Sequence, residues 1–179
     1  MQSNRISHFF DLRGPSFTSD TACSSSMVAV HLACRSLRAG ETSCALVGAC
    51  HLNMLPEFWV SFSTCRYVAS ETMCSFIIML TSIDPRLLSD TGRSFAFDDR
   101  GTGFGRGEGC GMLVLKPLDQ AIRDNDTIRA VIAGTGLNQD GKTPGITMPN
   151  GAAQGRRLQR GPSSRKYSLT RVSTVQRLL

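Results

Sequence analysis

The chain has 179 residues, 41% of them hydrophobic, which suits one globular domain, and its formal net charge is +6. The positive excess lies in residues 155–179, where seven Lys and Arg residues occur without an acidic one, a nucleic-acid motif or an aromatic platform. This segment favours a solvated tail over a nucleic-acid site. No stretch is long and apolar enough for a membrane span or a secretory signal, so we expect a cytoplasmic protein.

The first segment contains the apolar residues 9–12, a break at Gly14-Pro15, and then residues 16–18. Glycine followed by proline is typical of a loop. We therefore predict a loop between two short extended pieces.

Cys23 stands where a polar run, Asp-Thr-Ala-Cys-Ser-Ser-Ser at residues 20–26, meets a helical pattern. Apolar residues recur at three- and four-residue spacing over residues 27–37 and Gly40 offers a stop, so we predict a turn that leads into a helix. A cysteine there lies among unpaired backbone N–H groups at the positive end of the helix dipole, which favours the thiolate. The same N–H groups suit the oxyanion of an acyl intermediate. The alternative is a small buried cysteine beside a serine-rich N-cap.

The remaining cysteines indicate no other cysteine-based site. The chain has seven cysteines without a Cys-x-x-Cys pair, and the only histidine at ligand-like spacing from a cysteine is His31 before Cys34. Neither a disulfide framework nor a zinc site is indicated, and reduced thiols are expected.

Strand and helix patterns alternate in the rest of the chain. Residues 43–50 form a short apolar run, which predicts a buried strand in a sheet covered by helices on both faces. Later patterns predict a strand at 111–115, a helix at 117–123 and a strand at 128–136, with a turn at 124–126. This order is typical of a βαβ unit and of an α/β fold.

Five glycines alternate along residues 101–109. No starting point gives Gly-x-Gly-x-x-Gly, neither Gly-Lys-Ser nor Gly-Lys-Thr is present, and a strand pattern follows instead of a helix. We therefore interpret the run as a tight backbone course into the strand, and not as a nucleotide-binding loop.

The motifs of this chain resemble those of the β-ketoacyl synthases. Residues 20–26, with Asn4-Arg5-Ile6-Ser7 and residues 11–18 before them, are similar to the active-site region of that family, and the serine run resembles its type I branch. Later motifs agree in the same order: Ser94-Phe95-Ala96-Phe97-Asp98-Asp99-Arg100, Gly105-Arg106-Gly107-Glu108-Gly109 and Asn138-Gln139-Asp140-Gly141 with the residues up to Asn150. The resemblance covers most of residues 4–154 and favours a polyketide synthase.

This resemblance implies an α/β fold that is part of a thiolase-like α/β/α/β/α sandwich, which dimerises. It implies that Cys23 is the catalytic nucleophile, acylated from a carrier-protein phosphopantetheine, and that a malonyl thioester then loses carbon dioxide and extends the chain by Claisen condensation. It implies no metal or redox cofactor; the partners are an acyl-carrier protein and acyl and malonyl thioesters. Glu108 is implied to be a structural carboxylate near the active-site floor. The loop at 138–150 is implied to lie near the acyl-binding side, with local shaping as its main role.

Two stretches depart from the family pattern. Residues 64–88 intervene where relatives pass almost directly to the motif at 88–93, and we interpret them as a retained intron or a misassigned exon boundary in preference to a functional lid. Residues 155–179 contain no histidine, whereas the family continues with motifs of the types His-Gly-Thr-Gly-Thr and Lys-Ser-Asn-x-Gly-His. We therefore divide the chain into a partial synthase domain at 1–154, with 64–88 as an atypical insertion, and a basic tail at 155–179.

The three histidines present do not replace those two motifs. His31 lies eight residues after Cys23, which is ~12 Å along a helix axis and beyond hydrogen-bond reach of the thiol. His8 and His51 stand in contexts unlike either motif, and all three are expected to be structural. The chain therefore carries the nucleophile, but by itself we expect it to be inactive in condensation.

Three functional interpretations remain open at this point. The first is a catalytic-domain fragment of a type I polyketide synthase, with an animal-type fatty acid synthase as a variant of it. The second is a noncatalytic remnant that binds an acyl-carrier protein or a partner synthase. The third is a nucleic-acid-binding protein that uses the basic tail, and a flat salt dependence of binding would eliminate it.

Overall fold

The computed structural model describes residues 1–57, 59–60, 88–143, 149–159 and 172–173, with the backbone alone for 157–159 and 172–173. The chain divides into two compact units, one formed by residues 1–49 with 110–179 and the other by residues 50–109. Most of the predicted insertion at 64–88 and most of the predicted tail at 155–179 lie outside the described residues, as do residues 144–148 of the loop at 138–150.

Four helices and four strands can be given bounds in the described part of the chain, where residues 56–57 and 59–60 are helical as well. The helices are α1 (Gln2–Phe9), α2 (Ser25–Ala39), α3 (Leu118–Arg123) and α4 (Gly151–Gln159). The strands are β1 (Ala45–His51), β2 (Gly109–Pro117), β3 (Val131–Ile132) and β4 (Val172–Ser173).

The strands form one sheet in the order β1-β2-β4-β3. β4 pairs antiparallel with β2, with Lys116 opposite Ser173, and also antiparallel with β3, with Val131 opposite Ser173. Because β2 and β3 both run against β4, they run in the same direction. The predicted strand-helix-strand order of a βαβ unit is therefore confirmed, with β4 between its two strands.

α2 forms over the predicted helical pattern and carries the core of the first unit. Its buried residues Val30, Cys34 and Leu37 recur at the spacing of one helix face and pack against Val47 of β1 and Leu115 of β2. Cys34 and Leu115 are fully buried. This apolar contact fixes α2 against the sheet.

The predicted stop of α2 at Gly40 is confirmed. Gly40 has a φ of 74°, in the left-handed region that favours glycine, and its N–H donates to the carbonyl of Leu37. The N–H of Glu41 donates to the carbonyl of Ser36, so the helix ends in a Schellman motif.

The prediction for the first segment is wrong over residues 9–12. Residues 2–9 form α1 instead of leading into an extended piece, and the N–H of Phe10 continues the helical pattern by donating to the carbonyl of Ile6. The chain turns at Asp11, whose φ is 50°. The Gly-Pro break lies beyond the helix, so its loop signal does not extend back to residues 9–12.

The expected burial of the strand at 43–50 is also wrong. β1 forms, but Val47 is its only buried residue among those described, and Leu46 and Cys50 are exposed. α2 packs on the side of Val47, and the alternate side chains point to the other face.

α3 is held to the end of β2 by a cation between two carboxylates. The Lys116 ammonium pairs with Asp124, and its Nζ lies 2.7 Å from Oδ2 of Asp126. The Lys116 side chain is 16% exposed, and its hydrogen bonds to Asp124 and Asp126 raise its pKa. The predicted turn at 124–126 is therefore fixed to the strand that precedes α3.

In the second unit, Gly105 allows two backbone segments to lie in contact. A Cβ at this position would lie 2.1 Å from the carbonyl oxygen of Gly92, so only glycine fits. The N–H of Gly105 donates to Oγ of Ser94, and the N–H of Ser89 donates to the carbonyl of Phe104. The interpretation of the glycine run as a tight backbone course is confirmed at this residue.

We predict that Arg100→Gln raises the pKa of Asp98. Hydrogen bonds from the Arg100 side chain, and then from its backbone N–H, lower this pKa from 3.8 to about 2. A depressed carboxyl pKa contributes stability above the ordinary pKa, and this contribution is lost as the pH falls through about 2. An NMR titration of the Asp98 carboxyl should therefore show a higher midpoint in Arg100→Gln. The control Arg93→Gln removes the same charge from another arginine close in the sequence. If both variants shift the midpoint equally, the hydrogen bonds from Arg100 are not what lowers the pKa of Asp98.

Candidate active site

Cys23 lies in an exposed turn directly before α2. Ser24 is the N-cap of the helix, so the thiol-bearing residue is one position outside it. Ala22, just before the cysteine, has a φ of 53°, which is uncommon for a residue with a side chain. The predicted turn and helix are confirmed, and the alternative of a buried cysteine does not apply at this position.

Short polar side chains hold this turn. The N–H of Ala22 donates to Oδ1 of Asp20 at 2.9 Å. The hydroxyl of Ser25 accepts from the N–H of Thr21 at 2.8 Å and donates to the carbonyl of Ala22 at 2.7 Å. The hydroxyl of Ser24 donates to the carbonyl of Thr21 at 2.8 Å. Asp20, Ser24 and Ser25, which flank Cys23, therefore all bind backbone atoms. Together these hydrogen bonds define the path of the turn.

The segment that leads to this turn is bound to α1. Oγ of Ser16 donates to Oδ1 of Asn4 at 2.9 Å and lies 3.0 Å from Oγ of Ser7. Oγ1 of Thr18 lies 3.3 Å from Oγ of Ser3. The motif residues of α1 therefore act locally, by holding the segment that leads to Cys23.

This geometry suits the stabilisation of negative charge beside Cys23. The first turn of a helix directs its N–H groups toward the N-terminus, where the helix dipole is positive. The N–H groups of Ser24 and Ser25 already donate to the carbonyls of Thr21 and Ala22, so an oxyanion on a carbonyl carbon bonded to the sulfur would be stabilised by the dipole of α2 and by N–H groups other than these two. The turn can therefore present a nucleophile to solvent and stabilise the charge that its reaction creates.

Two other cysteines of the first unit are poorly suited to react. Burial raises the pKa of the Cys34 thiol, an effect that Arg38 only partly offsets. Desolvation likewise raises the pKa of Cys44, against the opposing effect of Lys116. Because the thiolate is the nucleophile, a raised pKa leaves less of each thiol in its reactive form at neutral pH.

The three histidines lie in separate environments. His31, on α2, has its Nδ1 2.8 Å from Oγ1 of Thr135. His51, at the end of β1, has its Nε2 3.0 Å from Oδ1 of Asn53 and 3.1 Å from Nη2 of Arg106. His8 lies exposed in the last turn of α1.

Glu108 binds backbone within the second unit. Its Oε1 accepts from the N–H of Asn53 at 2.6 Å, and the Asn53 side chain donates to the carbonyl of Gly107 at 3.1 Å. Nη2 of Arg106 also donates to Oδ1 of Asn53 at 2.7 Å. The geometry agrees with the structural, hydrogen-bonding carboxylate that the sequence led us to expect.

Two asparagines hold the ends of the loop at 138–150 to the first turn of α4. Nδ2 of Asn138 donates to the carbonyl of Ala153 at 3.1 Å, and Nδ2 of Asn150 donates to the carbonyl of Asp140 at 2.9 Å. Oδ1 of Asn150 accepts from the N–H of Ala153 at 3.1 Å, so this residue also caps the helix. The predicted shaping role is visible at both ends of the loop.

The described residues show no grouping of three or more His, Cys, Asp or Glu side chains that could hold a metal ion. Among the same residues, no helix combines the length and the apolar character needed to cross a bilayer.

Solved structures place this fold in a known class. The chain matches a ketosynthase from module 6 of the bacillaene synthase of Bacillus subtilis 168 with a TM-score of 0.70 and 40% identity, over 85% of this chain and 23% of that one. It matches the oxazolomycin ketosynthase domain OzmH KS7 of Streptomyces albus JA3453 with a TM-score of 0.70 and 33% identity, over 88% and 24% of the two chains. The fold is therefore α/β and part of the thiolase-like ketosynthase architecture, as predicted.

The family model for the β-ketoacyl synthase N-terminal domain matches residues 1–121. The highly-reducing polyketide synthase 1 of Aureobasidium melanogenum is 56% identical over 155 residues, 86% of this chain. The reducing polyketide synthase rads1 of Floropilus chiversii is 51% identical over 154 residues, also 86% of this chain. The chain belongs to the β-ketoacyl synthase family, within the ketosynthases of polyketide synthases. It spans 6% of the length of each of these two relatives.

We predict that Ser25→Ala lowers the free energy of unfolding by about 1 kcal/mol, because two hydrogen bonds that hold the turn are lost. Chemical denaturation measures the change. Ser26→Ala is the matched control, since this neighbour lies outside the set of hydrogen bonds described above, and its effect should stay within ~0.5 kcal/mol. Equal losses in both variants would contradict the role given to Ser25.

We also predict unequal alkylation of the cysteines. With limiting iodoacetamide at neutral pH, peptide mass spectrometry should find Cys23 alkylated well before Cys34, because one is exposed and the other is fully buried with a raised pKa. In urea the difference should disappear. Early alkylation of Cys34 in the folded chain would show that the core around α2 is not closed.

Proposed function

We propose that the chain provides the acyl-accepting part of a polyketide ketosynthase, with Cys23 as the nucleophile. The observation that carries this proposal is the exposed cysteine in a hydrogen-bonded turn at the N-terminus of α2. Membership of an enzyme family that condenses acyl groups supports it.

In the first step, the Cys23 sulfur attacks the carbonyl carbon of an acyl thioester carried on the phosphopantetheine of an acyl-carrier protein. The carbonyl oxygen becomes an oxyanion beside the first-turn N–H groups of α2. The bond from the carbonyl carbon to the pantetheine sulfur then breaks, the pantetheine thiol leaves with a proton, and the acyl group remains on Cys23.

Condensation needs a second thioester. A malonyl group on the carrier loses carbon dioxide, the resulting carbanion attacks the acyl carbon on Cys23, and the Cys23 sulfur leaves. The resemblance implies that two histidine motifs of the family serve the decarboxylation and condensation steps, and this sequence contains neither. The 179-residue chain by itself therefore accepts an acyl group but does not condense.

The substrates and partners follow from the same assignment. The chain takes acyl and malonyl thioesters presented on carrier-protein phosphopantetheine, needs no metal or redox cofactor of its own, and works in the cytoplasm as part of a homodimeric domain. The synthase portion covers residues 1–154, with 64–88 as an atypical insertion and 155–179 as a basic tail. Neither nucleic acid nor membrane is a partner.

A noncatalytic role is the second candidate, and the lack of any histidine in residues 155–179 favours it. In that case the chain binds an acyl-carrier protein or an intact synthase and carries no acyl group. A mixed dimer with an intact synthase, formed equally well by Cys23→Ala, would support this candidate.

We predict that an acyl-pantetheine thioester acylates the full chain at Cys23, as detected by intact-mass and peptide mass spectrometry. Cys23→Ala should lose the adduct, because no other thiol occupies the turn before α2. Cys110→Ala removes another exposed cysteine and is the control that should retain it.

The same samples test condensation. With a malonyl thioester, the wild-type chain should release no carbon dioxide above the level of Cys23→Ala. Absence of an adduct on wild-type Cys23 would refute the acyl-accepting function, whereas release of carbon dioxide that depends on Cys23 would refute the claim that the chain alone does not condense.

A further inference from the structure

The helix that follows Cys23 is bound by polar contacts to one short segment, residues 133–135. Nδ1 of His31 lies 2.8 Å from Oγ1 of Thr135. Nη2 of Arg38 donates to the carbonyl of Ala133 at 3.4 Å. His31 and Arg38 are seven residues apart, which places them on the same face of α2, two turns from each other.

These contacts lie beside the apolar stripe that packs on the sheet. Packing of the apolar stripe holds the helix against the sheet, but apolar contacts are not directional, so a polar contact adds a constraint on the position of the helix along its axis. A hydrogen bond has a defined length and direction. The bond between His31 and Thr135, which is partly buried, therefore fixes the axial position of α2, and with it the position of the turn that carries Cys23.

The segment that receives α2 is itself fixed on its other side. Three residues beyond Thr135, the side chain of Asn138 donates to the carbonyl of Ala153 in the first turn of α4. The N–H of Ala153 in turn donates to Oδ1 of Asn150. A continuous set of hydrogen bonds and short backbone links thus joins α2, residues 135–138 and the start of α4.

From this arrangement we infer that His31, through Thr135, is a positioning residue for the acylation of Cys23. His31 does not touch the reacting atoms. It sets the position of the N-terminus of α2. It therefore also sets the angle at which the Cys23 sulfur approaches a thioester carbonyl held beside the same turn. This inference rests on the function proposed above.

The inference predicts which reactions of Cys23 depend on His31. Attack on a thioester carbonyl needs the sulfur, the carbon and the first-turn N–H groups in one geometry, and small displacements of positioned groups slow such steps. Alkylation by iodoacetamide uses a small reagent that can approach an exposed sulfur from many directions. The His31–Thr135 bond should therefore affect acylation and leave alkylation unchanged.

The test uses Thr135 and not His31, because valine replaces threonine with nearly the same shape and removes only the hydroxyl. In the full chain, Thr135→Val should lower the rate of Cys23 acylation by an acyl-pantetheine thioester about three- to tenfold, the factor that corresponds to one hydrogen bond. Its rate of alkylation by iodoacetamide should stay at the wild-type value. Thr135→Ser keeps a hydroxyl and should restore most of the acylation rate.

Thr42→Val is the matched control. Oγ1 of Thr42 lies 3.1 Å from Oγ of Ser36, so this variant also breaks a partly buried hydrogen bond to α2, but at the end of the helix far from Cys23. It should lower the thermal midpoint by an amount similar to Thr135→Val and leave both rates of Cys23 unchanged. Rates are compared per folded molecule, from the fraction that unfolds cooperatively.

Each outcome decides a different question. If wild-type Cys23 is not acylated at all, the proposed function fails. If wild-type Cys23 is acylated and Thr135→Val is acylated equally fast, or slowed no more than Thr42→Val, the positioning role of His31 is overturned. A parallel fall of acylation and alkylation in Thr135→Val, without rescue in Thr135→Ser, would show a structural role only, and this also overturns the inference.

Discussion

The contact between one face of α2 and the sheet is the constraint on which the rest of the first unit depends. Cys34 and Leu37 pack against Leu115 and Val47, so the rotation of α2 about its axis is set by the burial of this stripe. Because the stripe faces the sheet, the N-terminal turn remains outside the core. The exposure of Cys23 is therefore a consequence of how α2 packs, and does not require a separate structure of its own.

The local shape around Cys23 is made by small polar side chains and not by packing. Asp20, Ser24 and Ser25 all bind backbone atoms of residues 21–22, and Ser16 is bound to α1. Such side chains have few rotatable bonds and short reach, so each specifies a precise backbone path at a small cost in side-chain entropy. The same device recurs at Asn138 and Asn150, which fix the ends of the later loop.

Sequence patterns predicted the elements whose signals are local. The apolar spacing and Gly40 gave α2 to within two residues of each end, and a helix at 117–123 and a strand at 111–115 were found with similar bounds. α1 was missed although Ile6, Phe9 and Phe10 recur at helical spacing, because the Gly-Pro break was given more weight than this short pattern, and none of the residues of the helix is buried. Of the strand predicted at 128–136, the structure shows Val131–Ile132, which pairs with Val172–Ser173. The partner of His31 is 104 residues away in the sequence, and no pattern within a helix could reveal it.

The two contacts between α2 and residues 133–135 depend differently on which residues stand at positions 133 and 135. Arg38 binds a main-chain carbonyl, which any residue at position 133 supplies. His31 binds a side-chain hydroxyl, which depends on the identity of residue 135. A hybrid synthase that takes α2 from this chain and residues 133–135 from another parent would thus keep the first contact whatever that parent is. It would keep the second contact only where the parent that supplies the later segment also has a hydroxyl-bearing residue at position 135. The residue at position 135 therefore decides whether two segments are compatible in such a hybrid.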